Sequence, residues 1–219
     1  MKVGYFITGT DTDVGKTWAT VALMRHFKNK GQTVAGMKPV ASGCTLKNGK
    51  PVNDDALLIQ ANASVELDYD LVNPYAYPLP VSPHLAGRNN PANLDLIMVR
   101  FHELKPQADV ILVEGAGGWY SPINDRQNIS DLATSLALPV ILVVAIRLGC
   151  INHAVLTAEA INRSALPCAG WIAVCSDPAM KKIEENIGRI HQELHVPLLG
   201  VLPFLEKADF DRMAEQLRL

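Results

Sequence analysis

Very little in the sequence favours a highly charged partner. Lysine and arginine number 20 against 22 aspartates and glutamates, a formal charge of −2. The basic residues are scattered, so the electrostatic footprint that draws a chain to nucleic acid is missing. Long apolar runs are missing too. Stretches such as Pro139–Ile146 fall far below the roughly 20 apolar residues of a membrane-crossing helix, and no membrane contact is expected. The N-terminal apolar residues run straight into a glycine-bearing loop, which is not the pattern of a secretory leader. Cysteine is sparse: Cys44, Cys150, Cys168 and Cys175 show neither CxxC pairing nor zinc-ligand spacing. Reduced thiols in a cytoplasmic protein are the expectation. No internal repeat, low-complexity segment or Gly/Ser linker divides the chain, so residues 1–219 are expected to form a single domain.

What the chain does have is apolar material. Of its 219 residues 48% are hydrophobic, enough for a substantial core. Strands are predicted at Val3–Thr8, Val34–Pro39, Val110–Glu114, Val140–Ala145, Ala169–Val174 and Leu199–Leu202. Helices are predicted over Lys16–Lys30, stopped by Gly31, and near 93–104, 129–138, 151–165 and 179–194. The strands are nearly continuous in apolar residues, as expected where both faces of a parallel sheet are covered. Their alternation with helices predicts a doubly wound α/β fold with a mainly parallel sheet. Asn73–Pro83 holds four of the 14 prolines and reads as a loop with little regular structure.

The stretch from Ile7 to Thr20 reads ITGTDTDVGKTWAT. It ends the first strand and opens the first helix, and Gly15-Lys16-Thr17 has the form of the close of a phosphate-binding loop. The usual loop is a glycine, four residues, then Gly-Lys-Thr or Gly-Lys-Ser. Here five residues separate Gly9 from Gly15, and Thr10 stands where the first glycine should be. Backbone N–H groups of such a loop, with the positive end of the next helix, favour phosphate oxygens. Lys16 would reach the terminal phosphates and Thr17 would offer a hydroxyl to Mg²⁺. A plain glycine turn is the bland alternative, and the order strand, loop, Gly-Lys-Thr, helix weighs against it. Asp11 and Asp13 would repel an anion, so they are expected to point away or to hold a metal or a cationic ligand group.

Glu114 ends the apolar run VILVE and precedes Gly115-Ala116-Gly117-Gly118. A carboxylate there faces the same crevice as the loop and suits Mg²⁺ better than a solvated strand end. Asp54 and Asp55 precede a short apolar run, and at least one is expected to cap a helix. Lys38 ends the second strand beside the loop, where a lysine can stabilise developing charge, and Ser42 lies just beyond it. The turn ArgLeuGlyCysIleAsnHis (147–153) could hold an anion at a helix start, but an ordinary strand-to-helix turn explains it as well. Nothing local makes His84 or His153 catalytic.

Together the segments TGTDTDVGKT, KPVASG, NDDALLIQ, VNPYAYPLPVSPHLA, VEGAGGWYSP, LPVILVVAIRLGCINHAVLT and AGWIAV closely resemble those of the dethiobiotin synthetase family, in its order and spacing and over nearly the whole chain. The resemblance implies a P-loop NTPase-like fold and explains the long loop, which serves both the nucleotide and a neighbouring second substrate. The implied reaction takes 7,8-diaminopelargonate, CO₂ and ATP to dethiobiotin, ADP and phosphate. The resemblance makes Lys38 and Lys16 catalytic. It assigns Thr17, Asp55 and Glu114 to Mg²⁺. It places the nucleotide along Asp13, Val14, Gly15, Lys16, Thr17 and Trp18, with Asp55, Glu114, Gly115, Ala116 and Gly117. On the base side it adds Val174, Cys175, Pro203, Phe204 and Leu205. For the substrate it implies Thr12, Lys38, Ser42 and Gly118, and Leu148, Gly149, Cys150 and Asn152 reaching across a homodimer to the partner's site.

One departure stands out. Many members carry Asn, often with Asp after it, where this chain has Val174 and Cys175. Neither side chain offers an amide to the base, so weaker base selectivity is expected than where Asn is present. Three rivals stand against this assignment, one of them a paralogue that keeps the fold and has lost the reaction, against which the presence of Lys38, Ser42, Asp55 and Glu114 argues. A cobyrinate-type amide synthetase needs an ammonia source, usually a fused glutaminase domain, and shows a cysteine nucleophile motif absent here. A ParA/MinD-like switch ATPase carries a second lysine early in the loop, where this chain has Asp11 and Asp13. The C-terminal stretch 209–219 is mildly amphipathic and is expected to pack on the domain.

Overall fold

The structure, a computed structural model, describes residues 3–219. In chain order β1 (Val3–Gly9) leads into α1 (Lys16–Asn29) and β2 (Val34–Met37). Next come β3 (Val40–Ser42), a hairpin of β4 (Thr45–Lys47) and β5 (Lys50–Val52), α2 (Asp54–Ala61), α3 (Tyr69–Val72), β6 (Tyr75–Tyr77) and α4 (Pro83–Ala86). Then follow α5 (Leu94–Leu104), β7 (Val110–Gly118), α6 (Ile129–Leu136), β8 (Val140–Ala145) and α7 (Cys150–Arg163). The chain closes with β9 (Cys168–Val174), α8 (Ile183–Leu194), β10 (Leu198–Leu202) and α9 (Phe210–Ala214).

Six strands form one parallel sheet in the order β10-β9-β8-β1-β7-β2. Every residue of β2 and β8 is buried, as expected for strands covered on both faces. The first strand of the chain lies in the middle of the sheet, between β7 and β8. The chain runs from β1 to the edge strand β2, returns to β7 and then crosses β1 to β8, so the winding changes direction here, and the crevice beyond the carboxyl ends of β1 and β7 is the place where such folds receive ligands. The predicted α/β class and parallel sheet are both present.

Several local expectations are corrected. Glu114 lies inside β7, which runs on to Gly118, rather than ending it. It sits opposite Ile7 in the register and Gly118 opposite Gly9, with an irregularity between the two pairs where Gly117 takes φ 68°, a conformation that suits glycine. Neither Asp54 nor Asp55 caps α2: Asn53 does, its side chain accepting from the Ala56 N–H at 3.2 Å, and both aspartates fall in the first turn. The proline-rich segment is not wholly irregular. Tyr75–Tyr77 forms β6, parallel to β3, with both tyrosines buried and Ala76 between them. Residues 45–52 form a hairpin around Asn48-Gly49, both at positive φ (52° and 77°), the chemistry of a tight two-residue turn. Helix α8 starts at Ile183, not near 179, since Lys182 sits in the left-handed region. At the C-terminus, α9 packs on α1, with Phe210 edge-on to Trp18 and Met213 and Leu217 buried, as the sequence predicts.

Candidate active site

Beyond β1, β2 and β7 lies a cleft of about 760 Å³. Its floor is the loop between β1 and α1. Gly15 takes φ 85° as it starts the helix, and Asp13 takes φ 55° just before it. A side chain at Gly9 would come within 2.5 Å of Val14, and one at Gly15 within 2.8 Å of Val174. The loop therefore curls tightly around buried Val14 and rests on Val174, the last residue of β9. The carboxylate of Asp11 points out of the cradle. It accepts from Arg147 Nη2 at 2.8 Å and from the Thr12 N–H at 2.7 Å. Its cationic partner is thus a side chain of the protein.

The cleft's charge centre is built on Glu114, which is fully buried. One carboxylate oxygen accepts from Thr17 Oγ1 and Lys38 Nζ, each at 2.8 Å. The other accepts from Thr20 Oγ1 at 2.8 Å. Lys38, also buried, donates in addition to Asp55, whose side chain is about half exposed. Burial pushes the Lys38 amine down, but Glu114 and Asp55 outweigh it and hold its pKa above the ordinary lysine value. Lys16 has no such carboxylate against it and donates to the Asp11 carbonyl at 2.7 Å. Burial pushes its pKa down to about 8; Lys38 adds to this, and Glu114, Asp13 and Asp55 oppose it. One lysine is thus neutralised by protein carboxylates, and the other is a buried donor directed over the loop, where an anion would sit. Ser42 Oγ is buried at the edge of the same cleft, with no hydrogen-bond partner among the described residues.

Comparison with known proteins decides the family. A family model described as an AAA domain matches residues 3–212. The ATP-dependent dethiobiotin synthetase BioD of Xanthomonas campestris pv. campestris (strain ATCC 33913) is 44% identical over 217 residues, 98% of this chain and 97% of that protein. The protein of the same name from Pseudomonas aeruginosa (strain UCBPP-PA14) is 46% identical over 220 residues, with 98% and 96% coverage. The chain belongs to the dethiobiotin synthetase family. Among solved structures, the MinC:MinD cell division protein complex of Aquifex aeolicus aligns with a TM-score of 0.60 at 17% identity, over 98% of this chain and 86% of that one. The signal recognition particle receptor FtsY from Elizabethkingia anophelis gives 0.54 at 14%, over 99% and 65%. At these identities the likeness is one of fold.

In this dethiobiotin synthetase family member the fold gathers most of the sequence-predicted residues. Thr12, Asp13, Gly15, Lys16, Thr17 and Trp18 line the cleft from the loop side. Lys38, Ser42, Asp55, Glu114, Ala116 and Gly117 line it from the other. Gly115 is buried behind them. Gly118 opens onto an adjoining groove, beside Thr10, Asp11 and Tyr120. Val174, Cys175 and Pro203, Phe204 and Leu205 follow one another at the carboxyl ends of β9 and β10, next to the loop but outside the cleft lining. Leu148, Gly149, Cys150 and Asn152 also lie outside it. Leu148 is 94% exposed, Gly149 takes φ 90° at the start of α7, Cys150 is buried and Asn152 is exposed.

Sequence reasoning missed several participants. Thr20 stands three residues after Thr17 on α1, so both hydroxyls face Glu114, and that spacing could have revealed it. Ser121 lines the cleft and accepts from the Gly118 N–H at 2.8 Å. Ser82 also lines it. Arg147 reaches Asp11 across 136 positions, for which no local signal exists.

Proposed function

We propose that the protein is an ATP-dependent dethiobiotin synthetase, working as one catalytic domain. It joins 7,8-diaminopelargonate and CO₂ at the expense of ATP and closes the ureido ring of dethiobiotin, in biotin biosynthesis. The observation that carries the reading is the convergence of Lys38, Glu114, Asp55 and Thr17 on the cleft that the phosphate loop and Lys16 floor.

A carbamate formed on one substrate amine is a poor electrophile, because its leaving group would be oxide. Transfer of the γ-phosphoryl group converts that oxygen into phosphate. Such transfer is catalysed mainly by positioning and by neutralising charge. The loop N–H groups would hold the phosphates, with Lys16 over them, and Lys38 would meet the carbamate oxygen and the γ-phosphate. Ser42 Oγ, buried and unpartnered among the described residues, suits a hydrogen bond to the carbamate, with Thr12 beside it. Among the described residues no three His, Cys, Asp or Glu side chains cluster as an all-protein metal cage. Two carboxylates and a hydroxyl are instead the incomplete oxygen set that suits Mg²⁺, which keeps water and phosphate oxygens among its ligands. Held by Thr17, Asp55 and Glu114, Mg²⁺ would neutralise charge on the transferring phosphates.

The base side supports weak selectivity. The Cys175 N–H is committed to the Leu202 carbonyl at 2.9 Å, and the Val174 carbonyl accepts from the Ile146 N–H at 2.8 Å. Neither residue then offers the base a side-chain amide or those backbone groups, leaving Pro203, Phe204 and Leu205 to meet it. ATP is expected to exceed CTP and GTP in kcat/KM by no more than about a hundredfold, the scale of an apolar pocket's discrimination. Dethiobiotin measured by mass spectrometry from diaminopelargonate, bicarbonate and Mg²⁺ with each nucleotide tests both points. No product with any of them rules out the synthetase reading; a preference above about a hundredfold rules out weak base reading.

The family resemblance of the turn 148–152 supports a homodimer in which this turn completes the partner's substrate site, and Leu148, 94% exposed, is free to meet it. Leu148→Asp is expected to raise KM for diaminopelargonate and to shift the protein toward monomer in sedimentation velocity. Unchanged sedimentation and KM would refute that role. Among the described residues no helix is long and apolar enough to cross a membrane, and the four cysteines are free thiols, which supports a cytoplasmic location.

A further inference from the structure

We infer that Ser82 and His84 form a proton-accepting pair for the substrate nitrogen that closes the ring; the inference rests on the synthetase reading. Ser82 lies at the start of α4, where a serine ordinarily caps the helix with its side chain. Here it makes no such bond. The backbone N–H of His84 goes to the Pro122 carbonyl at 3.3 Å, and that of Leu85 to the Ser82 carbonyl at 2.9 Å. The hydroxyl is turned instead to the His84 ring, with Oγ 2.9 Å from Nδ1. The backbone bond to Pro122 anchors His84 to the loop that carries Ser121, another residue of the cleft wall.

The rest of that wall suits an aliphatic diamine. Pro80, Val81 and Pro83 present apolar surface beside Ser82. This segment is held against the strand-end loop of Ser42: the Gly43 N–H donates to the Leu79 carbonyl at 3.1 Å, and a Cβ at Gly43 would meet Pro80 at 3.4 Å. The carbamate and phosphate, being anionic, belong beside Lys16 and Lys38. The second nitrogen then lies toward the other wall, where Ser82 is the hydroxyl with a nitrogen base behind it.

The chemistry needs such a group. As the free amine attacks the carbonyl of the carbamic–phosphoric anhydride, a carbon–nitrogen bond forms and the carbon–oxygen bond to phosphate breaks, phosphate leaving with the electron pair. The attacking nitrogen is left with one proton too many. That proton passes to Ser82 Oγ as the Ser82 hydroxyl proton passes to His84 Nδ1. The half-buried ring then returns it to water. Lys38 and Asp55 are engaged with each other, Glu114 lies beneath them and Lys16 donates to the loop, so these groups are committed to the phosphate end; Asp13, on the loop side, is the remaining carboxylate of the lining. Ser82 would touch the substrate; His84 acts through it.

The test measures ADP and dethiobiotin together in wild type, Ser82→Ala and His84→Asn, with thermal melting to confirm folding. Asparagine keeps a polar side chain to hold Ser82 but takes no proton. Wild type is expected to release ADP and dethiobiotin in equal amounts. Both variants are expected to make dethiobiotin about a hundredfold more slowly, the scale of general-base catalysis. Their ADP release is expected to fall less, because the anhydride still forms and is lost to water, so ADP exceeds dethiobiotin. Equal ADP and dethiobiotin in both variants, whether at full rate or with both slowed alike, overturns the pair's role and leaves the synthetase reading intact. A wild-type protein that makes ADP but no dethiobiotin overturns that reading, and the pair's role with it.

Discussion

Lys38→Ala is expected to lower dethiobiotin turnover by about a thousandfold, the scale of removing a preorganised charge from a transferring phosphoryl group. The amine is buried, its charge is held by Glu114 and Asp55, and it faces the loop across the cleft. Because the substitution also leaves Glu114 buried against two hydroxyls alone, a stability loss of about 3 kcal/mol is expected alongside. The two effects separate experimentally. Turnover is measured by mass spectrometry at a temperature where circular dichroism shows the variant folded, and nucleotide binding is followed by calorimetry. A folded variant that binds ATP yet keeps turnover within tenfold of wild type would remove Lys38 from the chemistry.

Glu114→Gln is expected to show the converse. Glutamine keeps the size and can still accept from Thr17 and Thr20, but it removes the fully buried charge opposite Lys38. Asp55, about half exposed, cannot compensate a buried ammonium alone, so a loss of about 3–5 kcal/mol is expected in denaturant unfolding. Activity should also fall severely and resist added Mg²⁺, since a proposed metal ligand is lost. The double variant Lys38→Met, Glu114→Gln is expected to be more stable than either single one, because no buried charge is left unpaired, and to remain inactive. Additive destabilisation in the double variant would mean that the pair does not act as a unit.

Most of the site's residue types were legible in the sequence, and their arrangement was not. Gly15-Lys16-Thr17 announces itself because a phosphate loop is local: the strand, turn and helix that make it are contiguous. Lys38, Asp55 and Glu114 were visible as residues beside strand and helix ends, and Asp55 was separable from Asp54 only by family resemblance. The apolar run VILVE places Glu114 at a strand end, yet β7 continues through the glycines to Gly118. The short strand β6 was hidden among prolines, although Tyr75 and Tyr77 alternate with period two. The Asn48-Gly49 pair is a local turn signal for the β4–β5 hairpin.

By itself the sequence determined the six covered parallel strands, the longer helices and the phosphate loop, since each depends on periodicity and spacing within about 20 residues. Only the tertiary structure decided what those elements face. The order of the sheet puts β1 between β7 and β8, and that placement brings Glu114 against Thr17 and Thr20, Arg147 against Asp11, and the Pro80–Pro83 wall opposite Lys38. These contacts join residues far apart in the chain. They follow from which strands become neighbours, and the apolar pattern of a buried strand is the same whichever neighbour it has.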